Sequence, residues 1–269
     1  MIHTKLQKPK INISTDKNYK TVKKMVQESY LNTVCAEARC PNIYECWNRK
    51  TATLMILGDT CTRACGFCSV KTGKPTWNDP LEPIRVAQAV KKMGLRHVVI
   101  TSVDRDDLKG DFGASIWADT IKQTKKVNPG CTVEVLTPDF KGFEPALKIV
   151  FDSKPDIFSH NVECVERISK AVRAQANWQR SLGVLEKSIQ HGLRTKTGIM
   201  VGLGEEVEEV KKTMRQVVDL GVQIFTIGQY LQPTKNHLKV EEYISKEQFE
   251  LYKEYGYSIG FKVVESGPL

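Results

Sequence analysis

From residue 52 onward, short apolar runs alternate with longer stretches of helical character. The runs cover 53–57, 97–101, 132–136, 157–159, 196–201 and 223–227, short enough to read as strands. Between them the spacing predicts helices over 81–93, 114–127, 143–151, 164–191, 205–220 and 245–256. Gly94, Gly192 and Gly221 stand where helices end in a left-handed residue. A further strand is predicted over 261–264. Upstream, Val22, Met25, Val26 and Tyr30 are spaced for one face of a helix over 20–30, and Pro41 breaks or opens a helix.

Regular strand–helix alternation implies a parallel sheet with helical crossovers. The expected fold is α/β: a partial (β/α)6 parallel barrel over 51–269, preceded by an N-terminal extension over 1–50. A doubly wound open sheet is the alternative that periodicity does not separate. In parallel barrels the chemistry gathers at the carboxyl ends of the strands, and the chain's polar and cysteine motifs fall there.

Composition narrows the class. Of 269 residues, 41% are apolar, too many for a disordered chain. No apolar run approaches the ~20 residues that span a bilayer. A chain this long buries its core without covalent staples, so its 8 Cys are not required as disulfides. Residues 1–20 carry no apolar core and no Arg, unlike a secretory or mitochondrial leader. A reducing, cytoplasmic setting is expected, and there clustered cysteines point to a metal or redox site. Cys131 and Cys164 stand alone and read as packed thiols.

Cys61, Cys65 and Cys68 follow the first strand in a C-x3-C-x2-C arrangement, with Phe67 before the last. No second pair completes a zinc tetrahedron. Three thiolates suit three irons of a [4Fe–4S] cube and leave the fourth iron open. A structural metal loop or free buried thiols is the plainer alternative. The spacing resembles that of the radical S-adenosylmethionine superfamily. The resemblance implies that the methionine amino and carboxylate groups of S-adenosylmethionine occupy the open iron, and that one electron cleaves the sulfonium to a 5′-deoxyadenosyl radical.

Cys35, Cys40 and Cys46 form a second set in C-x4-C-x5-C spacing. It is either a second cluster site or a chance grouping. The segments Cys35–Trp47, Gly58–Cys68, Thr101–Leu108, Gly198–Glu205, Gln229–Thr234 and Ser266–Leu269 are similar to the signatures of lipoyl synthases. Such enzymes insert two sulfur atoms at carbons 6 and 8 of an octanoyl chain amide-linked to a carrier lysine. These C–H bonds are unactivated, so a radical cofactor must supply the chemistry. The resemblance implies two [4Fe–4S] clusters, the auxiliary one on Cys35, Cys40 and Cys46 acting as the sulfur donor. The implied carrier is a dehydrogenase-complex E2 or glycine-cleavage H protein. The family's auxiliary cluster takes a fourth ligand from an Arg-Ser-Ser-Tyr segment after Ser-Gly-Pro-Leu. This sequence ends at Leu269, before that segment, and Ser266 does not align with the ligand serine.

Other residues are candidates for holding the cofactor. Asn161 and Glu163 alternate about Val162 and suit ribose hydroxyls or an ammonium group; they read equally as a helix cap. Ser102, Arg173 and Lys196 could meet a carboxylate. The resemblance places the Gly202-Leu-Gly204 turn near the adenosyl part; its plain reading is a helix start. Glu205 and Glu206 would repel phosphate, which excludes a nucleoside triphosphate site. Asp104, Asp106 and Asp107, with Arg105 among them, read as a salt-bridged loop rather than a metal site. The 5 His show no ligand spacing.

The formal net charge is +9. Lys and Arg are dispersed, with no aromatic platform for nucleic acid, so a face that docks acidic carriers is expected. An acidic ferredoxin or flavodoxin is the expected electron donor. Two competing readings are another radical sulfur-inserting or methylthiolating enzyme, and a non-enzymatic, metal-stabilised nucleic-acid-binding protein.

Overall fold

The computed structural model describes residues 8–11, 13–28, 31–37, 40, 42–49, 51–76 and 79–269. Tyr30 and Pro41 lie outside the described residues. The upstream part holds helix α1 (Lys17–Glu28), strand β1 (Asn32–Thr33) and short helices α2 (Val34–Glu37) and α3 (Ile43–Asn48). Next come β2 (Thr53–Ile56), β3 (Thr60–Cys61), β4 (Lys71–Thr72), α4 (Glu82–Met93), β5 (His97–Ser102), α5 (Ala114–Val127) and β6 (Thr132–Leu136). They are followed by α6 (Glu144–Asp152), β7 (Ile157–Ser159), α7 (Ser169–Val172), α8 (Trp178–Gln190) and β8 (Thr195–Val201). The chain closes with α9 (Val207–Asp219), β9 (Ile224–Gln229), α10 (Lys246–Ser258) and β10 (Val263–Gly267).

The main sheet has eight strands in the order β1-β2-β5-β6-β7-β8-β9-β10. β1 is an antiparallel edge on β2; every later neighbour is parallel. Strand order follows chain order throughout. A doubly wound sheet reverses its order at a switch point, so that alternative is excluded. Six βα units run from β2 to β9, and β10 adds a seventh parallel strand at the far edge. β10 does not pair with β2, so the barrel is partial.

Alternation along each strand decides what faces the helices. Val98 and Ile100 of β5, Val133 and Val135 of β6, and Phe225 and Ile227 of β9 are all buried. α4 and α5 bring Val86, Val90, Trp117 and Ile121 into the larger core, and α9 and α10 bring Val210, Met214 and Phe249 into the second. Burying each such side chain is worth roughly 1.5–3 kcal/mol.

The structure corrects one expected element. The helix over 164–191 is broken: α7 ends at Val172, Arg173 leaves helical geometry at φ −136°, ψ 74°, and α8 begins only at Trp178. Asn177 caps α8 by accepting from the Arg180 backbone N–H at 2.9 Å. An asparagine ahead of an apolar run is a helix start signal. The break matters because it turns Arg173 toward the carboxyl ends of the strands.

Candidate active site

A cavity of about 640 Å³ opens at those carboxyl ends. Every parallel strand contributes to its wall. Cys61, Cys65, Phe67 and Cys68 come from the segment after β2; Ser102 ends β5 and Asp104 follows it; Thr137 and Asp139 follow β6. Asn161 and Glu163 follow β7, Met200 lies on β8, Gly228 to Pro233 end β9, and Pro268 and Leu269 follow β10. Cys40 and Val34 reach the same cavity from the upstream segment.

The loop bearing Cys61, Cys65 and Cys68 is held on every side. Thr62 donates to the Asp104 carbonyl through both its N–H (3.0 Å) and its hydroxyl (2.9 Å). The Ala64 N–H donates to the Gln175 side chain at 2.7 Å. The Gly66 N–H donates to the Val172 carbonyl at 2.9 Å, and the Gly66 carbonyl accepts from Leu238 N–H at 3.0 Å. His237 Nε2 donates to the Cys68 carbonyl at 2.9 Å, and its Nδ1 accepts from the Thr234 hydroxyl at 2.8 Å. The backbone N–H groups of Arg63 and Asp104 point at Cys61 Sγ, at 3.4 and 3.3 Å.

The chemistry of the thiols tests what this loop can hold. Burial, with the Asp104 carboxylate next, pushes Cys61 up to about 11 and Cys65 up to about 12; burial also raises Cys68. With no cation beside them these thiols stay protonated at neutral pH, so they become ligands only to a group cationic enough to displace three protons. A cubic iron–sulfur cluster takes one thiolate per iron, and three thiols on one loop match three of its irons. The N–H donors aimed at Cys61 Sγ fit a thiolate ligand.

In the second set, Cys35 is buried in α2 and Cys46 lies on α3. The Cys40 N–H bonds to the Cys35 carbonyl at 3.1 Å. Burial pushes Cys40 up to about 11, with Cys35 and Cys46 adding to the rise, and burial with Cys35 also raises Cys46. Of these, Cys40 opens on the cavity. Cys131 and Cys164 are buried away from its wall.

Five cofactor candidates meet there: Phe67, Ser102, Asn161, Glu163 and Arg173. Arg173, 5% exposed, donates from Nη1 to the Asn161 carbonyl and from Nη2 to Ser181 Oγ, both at 3.2 Å. Its Nε is itself buried and has no partner, while the side chain as a whole lines the cavity. Glu163 is held at φ 69° by a bridge to β8. Burial raises its carboxyl, while Arg173 and the Asn161 side chain oppose that. Ser102 and Phe67 complete the wall.

Lys196, Gly202 and Gly204 lie elsewhere. Lys196, Gly198 and Met200 share the inner face of β8. Met200 lines the cavity, and Lys196 sits four residues, roughly 13 Å, below it. There it pairs with buried Glu134 at 2.7 Å, and Glu134 also faces His97 at 3.2 Å. This cluster floors the barrel. Gly202 and Gly204 adopt φ 95° and 94°, but the turn is filled from within. Glu205 accepts from the Gly202 and Leu203 N–H groups at 2.5 and 2.9 Å, occupying the position a phosphate would need.

Sequence reasoning missed Arg63, Gln175, Ser181, Tyr230 and His237. Arg63 and Tyr230 carried a signal, lying inside the cysteine motif and the Gln229–Thr234 segment. The aspartate loop is indeed salt-bridged, with Arg105 on Asp107 at 2.9 Å. Asp104 and Asp106 turn the other way, to Arg63.

The Radical SAM superfamily model matches residues 55–217. The chain is 55% identical to a lipoyl synthase of Rubrobacter xylanophilus, over 97% of this chain and 81% of that protein. It is 51% identical to a mitochondrial lipoyl synthase of Nematostella vectensis, over 97% of this chain and 91% of that protein. Among solved structures it resembles Streptococcus suis SuiB bound to S-adenosylmethionine, with TM-score 0.63, 11% identity and 84% of this chain covered. The chain spans 55% of that longer protein, so the likeness is one of fold. HydG, a maturase of the [FeFe]-hydrogenase, matches with TM-score 0.62 and 12% identity over 92% of this chain and 68% of its own length.

Proposed function

The chain belongs to the lipoyl synthases of the radical S-adenosylmethionine superfamily, and we propose that its two cysteine triads work on one substrate chain inside the shared cavity. It is a radical sulfurtransferase that uses S-adenosylmethionine and a [4Fe–4S] cluster. It inserts sulfur at carbons 6 and 8 of an octanoyl group carried on a protein lysine. Cys61, Cys65 and Cys68 hold the radical-forming cluster, and Cys35, Cys40 and Cys46 hold the auxiliary one. When bound, these groups supply a 5′-deoxyadenosyl radical and the sulfur, respectively. The observation that carries this reading is that Cys40 and the Cys61–Cys68 loop line the same cavity.

The protein's part is binding and orientation. Arg173, whose side chain lines the cavity, takes the cofactor carboxylate. Glu163 and Asn161 take the ammonium or ribose groups, Ser102 adds a hydroxyl, and Phe67 packs against the cofactor. Met55, Leu136, Met200 and Leu231 offer apolar surface for an eight-carbon chain. Residues 1–50 serve as the extension that brings in the auxiliary triad, and 51–269 as the radical-forming barrel. The net charge of +9 steers in an acidic E2 or H-protein domain and an acidic ferredoxin or flavodoxin. No described helix is long and apolar enough to cross a membrane, and the proposed site of action is the cytoplasm.

Anaerobic reconstitution tests the reading. About eight irons per chain are expected, four per cluster. With S-adenosylmethionine, reductant and an octanoyl-lysine peptide, the products are 5′-deoxyadenosine and a sulfur-bearing peptide. Cys65→Ala abolishes cofactor cleavage; Cys40→Ala keeps cleavage and loses sulfur insertion. About four irons and an unchanged peptide would sink it.

A further inference from the structure

Arg63 lies between two cysteines of the C-x3-C-x2-C loop, 6% exposed. Its Nε and Nη2 both donate to Asp106, each at 2.9 Å. Nη2 also reaches Asp139 at 2.8 Å, and Nη1 pairs with Asp104 at 3.3 Å. One guanidinium thus ties the cysteine loop to the loops after β5 and β6. Asp139 is fixed in turn by the Lys141 N–H at 2.9 Å and by Arg180 at 3.1 Å. The tie fixes the Asp104 backbone, whose N–H points at Cys61 Sγ from 3.3 Å. It also balances the Asp104 carboxylate, which stands 3.9 Å from the same sulfur. Facing a thiolate, that carboxylate is repulsive unless a cation neutralises it.

We propose that Arg63 is a positioning residue for the radical-forming cluster, locking its loop and holding its reduction potential up. This rests on Cys61, Cys65 and Cys68 holding that cluster. Hydrogen bonds to cluster sulfurs and nearby charge are established determinants of iron–sulfur potential. Losing Arg63 frees the loop, slackens the N–H on Cys61 Sγ and takes the cation from the Asp104 carboxylate. The last two effects both drive the potential down, while Asp139 keeps Arg180 and Asp106 keeps Lys141 at 3.6 Å.

The test uses full-length, anaerobically reconstituted protein. The EPR signal and iron lost in Cys65→Ala define the cluster. Arg63→Gln is expected to release that iron to a chelator about tenfold faster or more, from lost charge-assisted hydrogen bonds. Its midpoint potential falls below wild type. Arg63→Lys keeps the charge but not the fork, so its iron loss is fast while its potential moves less. Arg180→Gln, which alters only the outer contact to Asp139, leaves both readings near wild type. Wild-type potential and iron retention in Arg63→Gln, or an equal shift in Arg180→Gln, overturns the proposal. Should Arg63→Gln fail to fold, iron release from Arg63→Lys decides, and a wild-type rate rejects it. If Cys65→Ala loses no iron, the cluster assignment itself fails, and the two failures are distinct.

Discussion

Arg173 Nη2 lies 3.2 Å from Ser181 Oγ, and the same hydroxyl stands 3.0 Å from His160 Nε2. The chain of contacts has one consistent set of protons. His160 Nδ1 donates to the Thr137 carbonyl at 2.9 Å. Its Nε2 therefore accepts from Ser181, whose oxygen accepts from Arg173. Helix α8, through Ser181, thus aims the arginine that lines the cavity.

Arg173→Lys removes the planar fork that the Asn161 carbonyl and Ser181 hold in place. S-adenosylmethionine binding, measured by equilibrium dialysis on reconstituted protein, is expected to weaken about tenfold to hundredfold, the range for hydrogen bonds to charged groups. An unchanged Kd would assign Arg173 a structural role only.

Ser181→Ala strands His160 Nε2 and Arg173 Nη2, both in buried side chains. Leaving such groups unpaired costs about 1–3 kcal/mol. Chemical denaturation should show that loss, with a several-fold weaker cofactor affinity beside it. Ser181→Thr, which keeps the hydroxyl, should recover affinity better than stability.

Burial holds His160 down at about 4, against an ordinary value near 6.5, with Asp139 opposing. Its folded pKa lies below its unfolded one. Above pH 6.5 both states are neutral and His160 makes no pH-dependent contribution. Between 6.5 and 4 only the unfolded chain takes the proton, so stability falls with pH by up to about 1.4 kcal/mol per unit. His160→Gln should remove that slope. Denaturation of wild type and variant at pH 5 and 7 checks it, and parallel pH profiles would refute it.

Gly202 adopts φ 95°, and a Cβ there would lie 2.4 Å from the Glu242 carbonyl oxygen and 2.2 Å from Gln229 Nε2. The first is backbone and cannot swing away. Gly202→Ala is expected to cost more than about 2 kcal/mol, because strain and a backbone clash add. A thermal melt within 1–2 °C of wild type, against the roughly 2–4 °C per kcal/mol usual at this size, would contradict it.

The sequence by itself determined the βα rhythm and the two cysteine triads, whereas the strand order of the folded sheet separated the partial barrel from a doubly wound one. Strand and helix periods differ, and strand ends in a parallel barrel all point one way. A chain that places Cys61, Ser102, Asn161 and Met200 near strand ends therefore brings them to one cavity. Local pattern did not decide depth or partnership. Lys196 and Met200 lie on one face of one strand, yet the first pairs with Glu134 at the floor and the second lines the cavity. Asp106 meets Arg63 across 43 residues, and Arg173 reaches the cavity only because Asn177 starts a new helix. Such pairings depend on how neighbouring loops stack once the sheet has curled, so only the tertiary structure decides them.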